Sequence, residues 1–367
     1  MELNNQKMID RIIIDNFKSI KSADVRLNKM NLLIGPNNSG KSNFLKSIIH
    51  LKSSIHEDTG IGRVSFHVYS DNQDDNSTEY EIYFDNKYAV SSKRSELSID
   101  EIFENNLSSD KYFLNESLYK LEDSLRGIKI YKPDLGKLHL PYTIFQNDDR
   151  VLEDASNIAS FLQTCLNKHR KYFNKITDEL KKVLPIFEEI IIENVEPTQE
   201  SQPVQTKKNR PLSTESHQIK IGFRDFAERI IWAEDLSEGA LYFLALLCII
   251  HQPEPPKLLM LEEPERSIHP RRIKEVIDLI RKLSDEKDIQ VIMTSHSPLV
   301  VDLFEDEPEC IHVFEMKDGF TEIKNLKTDI IDPTNKELQK KGVDVTQDYE
   351  TTLGEKWVYG FLGGVPV

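Results

Sequence analysis

The chain is poor in cysteine and carries no long apolar run. Its 367 residues include three cysteines, Cys165, Cys248 and Cys310, and no two of them stand at C-x-x-C spacing. That excludes a disulfide framework or a cysteine zinc site, so the thiols read as ordinary core or near-surface groups of a reducing compartment. The longest apolar stretch, around Leu241 to Ile250, falls well short of the ~20 residues that span a bilayer. The opening MELNNQKMIDR has no apolar signal core, so the sequence predicts a cytoplasmic protein with no membrane partner. Positive charge is also in deficit: 47 Lys and Arg face 62 Asp and Glu, a formal net charge of -15. Such a surface repels bulk nucleic acid over most of its area. Residues 1–52 are the exception, with nine Lys and Arg against four Asp and Glu. That excess suits a phosphate-binding lobe with solvated lysines, or a local nucleic-acid footprint.

What is present suffices for a real core. Hydrophobic residues make up 38% of the chain, enough for one large domain or two modest lobes. Strand-like runs at Ile12–Ile14 and Asn31–Ile34 flank a polar hairpin region, and Ser42 to Leu51 reads as a helix with Phe44, Leu45, Ile48 and Ile49 apolar. Residues 63–69 and 79–84 alternate as antiparallel strands around an acidic loop. Residues 91–130 are polar with short helical patterns. Helical periodicity is expected from Asn157 to Ile192, interrupted at Pro185, and residues 196–216 form a polar, low-complexity loop expected to be mobile. A strand at Gln218–Phe223, a helix from Gly239 to His251, a buried strand at Leu258–Leu261, a helix at Arg272–Ser284 and a strand at Gln290–Met293 complete the pattern. This alternation predicts a mixed α/β sheet, without internal repeats.

Residues 35–42, Gly35, Pro36, Asn37, Asn38, Ser39, Gly40, Lys41 and Ser42, fit GxxxxGK[ST] between a strand and a helix, the context the phosphate-binding loop requires. The two glycines let backbone N–H groups turn inward, and the helix N-terminus adds partial positive charge. Lys41 would reach the β- and γ-phosphates of ATP and Ser42 would ligate Mg²⁺. The nucleotide-binding candidates extend to Asn43. In LLMLEEPE, residues 258–265, two carboxylates emerge where a buried strand ends. Glu262 would hold Mg²⁺, through water given its extra methylene, and Glu263 would orient and deprotonate the attacking water. Taken alone, the same residues describe an acidic solvated turn. DLSEGA at 235–240 places Ser237, Glu238 and Gly239 at a helix N-terminus, which suits an anion and equally suits ordinary capping. In TSHSP, His296 follows a strand and could hydrogen-bond the γ-phosphate. The order of these four motifs gives each its weight.

Together they resemble the ABC-type ATPase heads of the SMC, RecF and OLD-like group, most closely the compact ATPases of prokaryotic defence systems. The resemblance rests on IIIDNFKSIKSADVRLNKMNLLIGPNNSGKSNFLKSI, LEDASNIASFL, EDLSEGALYFLALL and LLMLEEPERSIHP. It covers residues 9 to about 315, weakly between 55 and 150. It implies an ABC-ATPase head of the P-loop NTPase class, a mixed sheet lobe plus a helical signature lobe. It implies that Phe17, Lys18 and Ser19 contact adenine and ribose, and that Gln146 on a lid loop touches Mg²⁺. Residues 265–269 would cross to a partner subunit, although Arg266-Ser267 stands where many relatives have Asn-Gly. It also implies that Ser237 of one subunit meets the γ-phosphate bound by another, so the protein would be a homodimer or higher oligomer closed by an ATP sandwich.

The expected organisation is a nucleotide-binding lobe at 1–90, a helical insert and signature lobe at 91–216, the second half of the ATPase core at 217–330, and a C-terminal tail at 331–367. About 70 residues follow the histidine motif, too few for the nuclease domain of OLD proteins. The ending GEKWVYGFLGGVPV reads as a core element or as a docking segment. Two functions fit: an ATPase that senses or regulates a separately encoded effector, such as a nuclease or toxin, in anti-phage defence, or a RecF-like repair ATPase that binds DNA. A membrane transporter head fits poorly, because EEPE and NFKSI point elsewhere.

Overall fold

The computed structural model describes residues 8–54, 62–69, 78–84, 88–92, 128–144, 148–195, 218–266, 268–341 and 351–364. Gln146, most of the 91–130 segment and the polar loop at 196–216 lie outside the described residues. In chain order the strands and helices are β1 Met8–Phe17, β2 Ile20–Arg26, β3 Met30–Ile34, α1 Lys41–Ser54, β4 Gly62–Tyr69, β5 Thr78–Phe84, β6 Tyr88–Ser92 and β7 Ile128–Tyr131. There follow α2 Leu135–Leu138, β8 Tyr142–Thr143, α3 Ile158–Lys168, α4 Arg170–Val183, β9 Phe187–Val195, β10 Gln218–Asp225, β11 Ile230–Trp232 and α5 Glu238–His251. The remainder is β12 Leu258–Glu262, α6 Pro270–Lys287, β13 Gln290–Ser295, α7 Pro298–Asp302, β14 Ile311–Lys317, β15 Phe320–Asn325, α8 Asp332–Lys340 and α9 Leu353–Val358.

The chain divides into two compact units, the first comprising Met1–Ile130, Lys257–Glu265 and Ile277–Val367. Among its described residues are an antiparallel sheet of order β2-β1-β4-β5-β6 and a mixed sheet of order β15-β14-β3-β13-β12-β7. Strands β12, β13, β3 and β14 run parallel. Strand β13 is buried along its whole length and β3 along all but its first residue. This is why NLLI and QVIM read as near-continuous apolar runs, as strands covered on both faces do. Ile12, Ile14, Ile20, Leu33, Phe44, Leu45, Met260, Ile292 and Phe314 belong to one core cluster, with the Phe44 and Phe314 rings edge to face at 5.7 Å. Parallel strands end on the same side of a sheet, so the motifs that follow β3, β12 and β13 converge there.

The C-terminal tail is part of this unit. Thr352 and Glu355 form a capping box that starts α9, as the T-x-x-E pattern dictates. Leu353, Trp357 and Leu362 are buried, whereas Val358, Tyr359 and Phe361 face outward. Gly354 lies flat on α7, its N–H donating to Asp302 Oδ1 at 2.6 Å. Trp357 Nε1 donates to the Gly364 carbonyl at 3.2 Å, and the Gly364 N–H donates to Glu315 Oε1 at 2.6 Å. Gly364 also packs on the nucleotide loop: a Cβ there would lie 3.5 Å from the Gly35 Cα.

The second unit comprises Tyr131–Pro256 and Arg266–Val276. In its sheet β10 pairs with β11, β8 and β9, all antiparallel. Helix α5 is buried at every position from Ala240 to His251, which explains a sequence that is apolar all round rather than on one stripe. Cys165 and Cys248 are buried here, and Cys310 is buried in the first unit. No described helix is long and apolar enough to cross a membrane.

One expectation of secondary structure is sharpened and one is corrected. The polar region between Ile14 and Asn31 contains a full strand, β2, at the edge of the antiparallel sheet. It buries only Ile20 and Val25, and an edge strand with a solvated face carries little apolar signal. The helix expected to continue to Ile192 ends at Val183, and Phe187–Val195 is strand β9. Its buried residues Phe187 and Ile190 stand three apart because the β9–β10 register shifts at Arg224/Asp225. A bulge inserts one residue and breaks the period of two, which imitates helical spacing.

Candidate functional site

The nucleotide loop lies where β3 passes into α1. Gly35 has φ +145° and Gly40 φ +104°, backbone that glycine alone adopts readily. Space enforces the same choice, since a Cβ on Gly35 would lie 2.3 Å from the Phe314 carbonyl oxygen and one on Gly40 2.1 Å from Thr321 Oγ1. Asn38, at φ +63°, takes the left-handed turn that asparagine tolerates. Lys41 folds back over the loop, donating to the carbonyl oxygens of Gly35 at 2.7 Å and Pro36 at 2.9 Å. Burial lowers its pKa to about 8, against a smaller upward pull from Glu263.

The two carboxylates and the histidine come from the adjacent strand ends. In register, Glu262 pairs with Thr294, and Ser295 with Ile34. Glu263 takes φ +49°, strained for a residue with a side chain. Its N–H is held by Thr294, with the carbonyl oxygen at 3.1 Å and Oγ1 at 3.2 Å. His296 Nε2 stands 3.8 Å from Glu263 Oε1. The imidazole pKa is lowered, first by burial and then by the Lys41 charge, partly offset by Glu263. A cavity of about 410 Å³ is lined by Asn37, Asn38, Ser39, Gly40, Lys41, Ser42, Asn43, Lys46, Glu262, Glu263, Thr294 and His296, within the range of small-molecule sites.

Most of the site residues expected from sequence therefore meet in one cavity. Gly35 and Pro36 sit behind it, under Lys41, and Phe17, Lys18 and Ser19 do not line it. Phe17 is buried in the core cluster, and the Lys18 ammonium lies 5.4 Å from its ring centroid. Ser19 braces the loop from behind: its hydroxyl shares a 2.7 Å hydrogen bond with Thr321 Oγ1 and accepts one from Asn43 Nδ2 at 2.8 Å. Ser237, Glu238 and Gly239 belong to the second unit. There the Ser237 hydroxyl caps α5, accepting from the Ala240 N–H at 3.3 Å. Thr294 and Lys46 line the cavity without having been expected. Thr294 is the first residue of TSHSP, so the register of β13 against β12 would have found it. Thr321, against Gly40, has no local sequence signal.

Oxygen donors from Ser42 and Glu262 in one cavity suit a hard divalent cation. Mg²⁺ characteristically takes one or two protein ligands and completes its shell with phosphates and water. The buried Ser39 hydroxyl has no protein hydrogen-bond partner among the described residues, as befits a loop shaped to meet phosphate oxygens.

The profile of the AAA_21 family, described as "AAA domain, putative AbiEii toxin, Type IV TA system", matches residues 30–302. An "ATP/GTP phosphatase" of Helicobacter pylori is 23% identical over 339 residues, covering 81% of this chain and 88% of that protein. A shorter stretch of 86 residues is 34% identical to an uncharacterized ABC transporter ATP-binding protein, YhcH, of Bacillus subtilis, covering 23% of this chain and 26% of that one. Among solved structures, an SMC head bound to the C-winged helix domain of ScpA superposes with a TM-score of 0.52 at 15% identity, covering 86% of this chain and 96% of that one. The fold is thus that of an SMC-like, ABC-type P-loop ATPase head, and with a profile match running from the nucleotide loop past His296, the chain belongs to the AAA_21 family.

Proposed function

We propose that the protein binds ATP with Mg²⁺ and hydrolyses it to ADP and phosphate, acting as an ATP-gated dimer that controls a separately encoded effector in prokaryotic anti-phage defence. The observation that carries the hydrolytic part is the convergence of Lys41, Glu262, Glu263 and His296 on one cavity. Lys41 binds the β- and γ-phosphates, and the N–H groups of the loop and of the first turn of α1 cradle them. Ser42 and Glu262 hold Mg²⁺, which supplies charge neutralisation on the phosphates when bound. Glu263 orients water and takes its proton, and His296 Nε2 stands 3.8 Å from its carboxylate, close to the same reacting water. His296, its basicity lowered in the free protein, donates a hydrogen bond to the γ-phosphate. The phosphatase activity named for the Helicobacter pylori relative supports this chemistry.

The dimer rests on Ser237 and Gly239. They form an anion-suited helix start, and the resemblance to ABC-type ATPase heads implies that a second copy presents them to the γ-phosphate. The effector rests on the toxin–antitoxin description of the family, and Tyr359 and Phe361, exposed on the tail, offer it aromatic anchors. In the test, Glu263→Gln keeps ATP affinity, lowers kcat by about 10²–10⁴-fold and accumulates a nucleotide-bound dimer on size exclusion. Equal turnover in the variant and the wild type would refute the assignment. Pull-down of the Glu263→Gln protein with ATP, against the nucleotide-free wild type, tests for the effector.

A further inference from the structure

Glu265, two residues beyond the proposed base, has no part in the chemistry above. Its Oε1 accepts two hydrogen bonds from the end of the neighbouring strand, from Ser295 Oγ at 2.6 Å and from the His296 N–H at 3.2 Å. Ser295 Oγ in turn accepts from the Ser297 N–H at 2.9 Å. The residues before and after His296 are thereby tied to one carboxylate. The opposite side of the crossing is closed by the Glu263 N–H on Thr294. Burial raises the Glu265 pKa against these hydrogen bonds. Its Oε2 is buried and has no protein hydrogen-bond partner among the described residues. A carboxylate held in so poor an environment for charge is costly unless its geometry is needed. Glu265 is also the last residue of the first unit before the chain continues into the second at Arg266.

We infer that Glu265 is a positioning residue, a clamp that fixes His296 opposite Glu263 by joining the ends of β12 and β13. This rests on the hydrolytic reading of the site. The clamp does not touch the cavity, so its loss should leave nucleotide binding nearly intact and misplace the histidine. A displacement of about 1 Å costs on the order of 10²-fold in turnover. Glutamine retains an oxygen able to accept both hydrogen bonds, whereas alanine retains none.

The experiment compares wild type, Glu265→Ala, Glu265→Gln and Ser295→Ala in steady-state ATP hydrolysis, and in amide hydrogen exchange of the 293–299 segment without nucleotide. Glu265→Ala is expected to lower kcat by about 10²-fold with KM within about threefold, and to speed exchange of the His296 amide by about tenfold. Glu265→Gln is expected to restore both. Ser295→Ala, which removes one of the two donors and serves if Glu265→Ala fails to fold, is expected to fall between. Unchanged exchange in Glu265→Ala overturns the clamp, as does faster exchange with unchanged kcat. Equal losses in the alanine and glutamine variants assign the effect to charge and overturn the hydrogen-bonding role. The exchange measurement needs no turnover, so a wild type that hydrolyses no ATP removes the proposed function while the clamp is still decided.

Discussion

Lys41 meets its own loop before it meets a phosphate. Its ammonium rests on the Gly35 and Pro36 carbonyl oxygens, buried away from water, with a pKa near 8 instead of 10.5. A bound polyphosphate favours the charged form, so the nucleotide complex carries a higher lysine pKa than the free protein. The sign follows by linkage: below about pH 8 the proton is already present and affinity is level. Above it, binding must recruit a proton and affinity falls by up to about tenfold per unit of pH. ATP titrations of the non-turning Glu263→Gln protein across this range should show that decline. In Lys41→Ala the affinity should be weak and nearly independent of pH over the same interval. A flat profile in the lysine-containing protein would mean that Lys41 does not contact phosphate.

At the scale of elements, two glycines mark two helix starts for different reasons. Gly40 precedes α1 in left-handed backbone with Thr321 against it, so Gly40→Ala is expected to cost about 1–3 kcal/mol in stability from strain alone. Gly239 is the second residue of α5, in ordinary backbone, and among the described residues a Cβ there would meet Ile268 Cδ1 alone, at an easy 3.8 Å. Gly239→Ala is therefore expected to hold or raise stability, by up to about 1 kcal/mol from helix propensity. If phosphate from a second copy approaches that backbone, the same substitution abolishes hydrolysis. Thermal melts with ATPase rates separate the two cases, and full activity in Gly239→Ala would remove the reason for glycine there. The two glycines also mark the reach of sequence reasoning. The loop, the acidic strand end and His296 were legible because each is a short run whose chemistry lies within eight consecutive residues. The brace from Ser19 to Thr321 spans 302 positions and the clamp from Glu265 to Ser295 spans 30, distances over which local pattern is silent. Strand β9 was misread because its bulge disguised its period, and β2 was legible only as part of a polar hairpin because its outer face is polar.

For the whole molecule, the proposed dimer has a strict arithmetic. Each composite site takes its nucleotide loop from one copy and its Ser237 from the other. Lys41→Ala and Ser237→Ala proteins should each be inactive alone. Mixed and allowed to exchange, they should recover activity, because the pair holds one intact site, and random twofold pairing gives about a quarter of the wild-type rate. No recovery on mixing would place Ser237 and Lys41 in the same copy's chemistry. The tail offers an independent view of the same event. Its Gly364 rests against Gly35, while Phe361, three residues earlier, is 74% exposed. The three native thiols are buried, and Cys165 and Cys310 are pushed up to about 12, so a maleimide should pass them by. A single cysteine introduced as Phe361→Cys would then take a dye selectively. The fluorescence of that dye should change as ATP fills the loop, making the end of the chain an optical gauge of the nucleotide site.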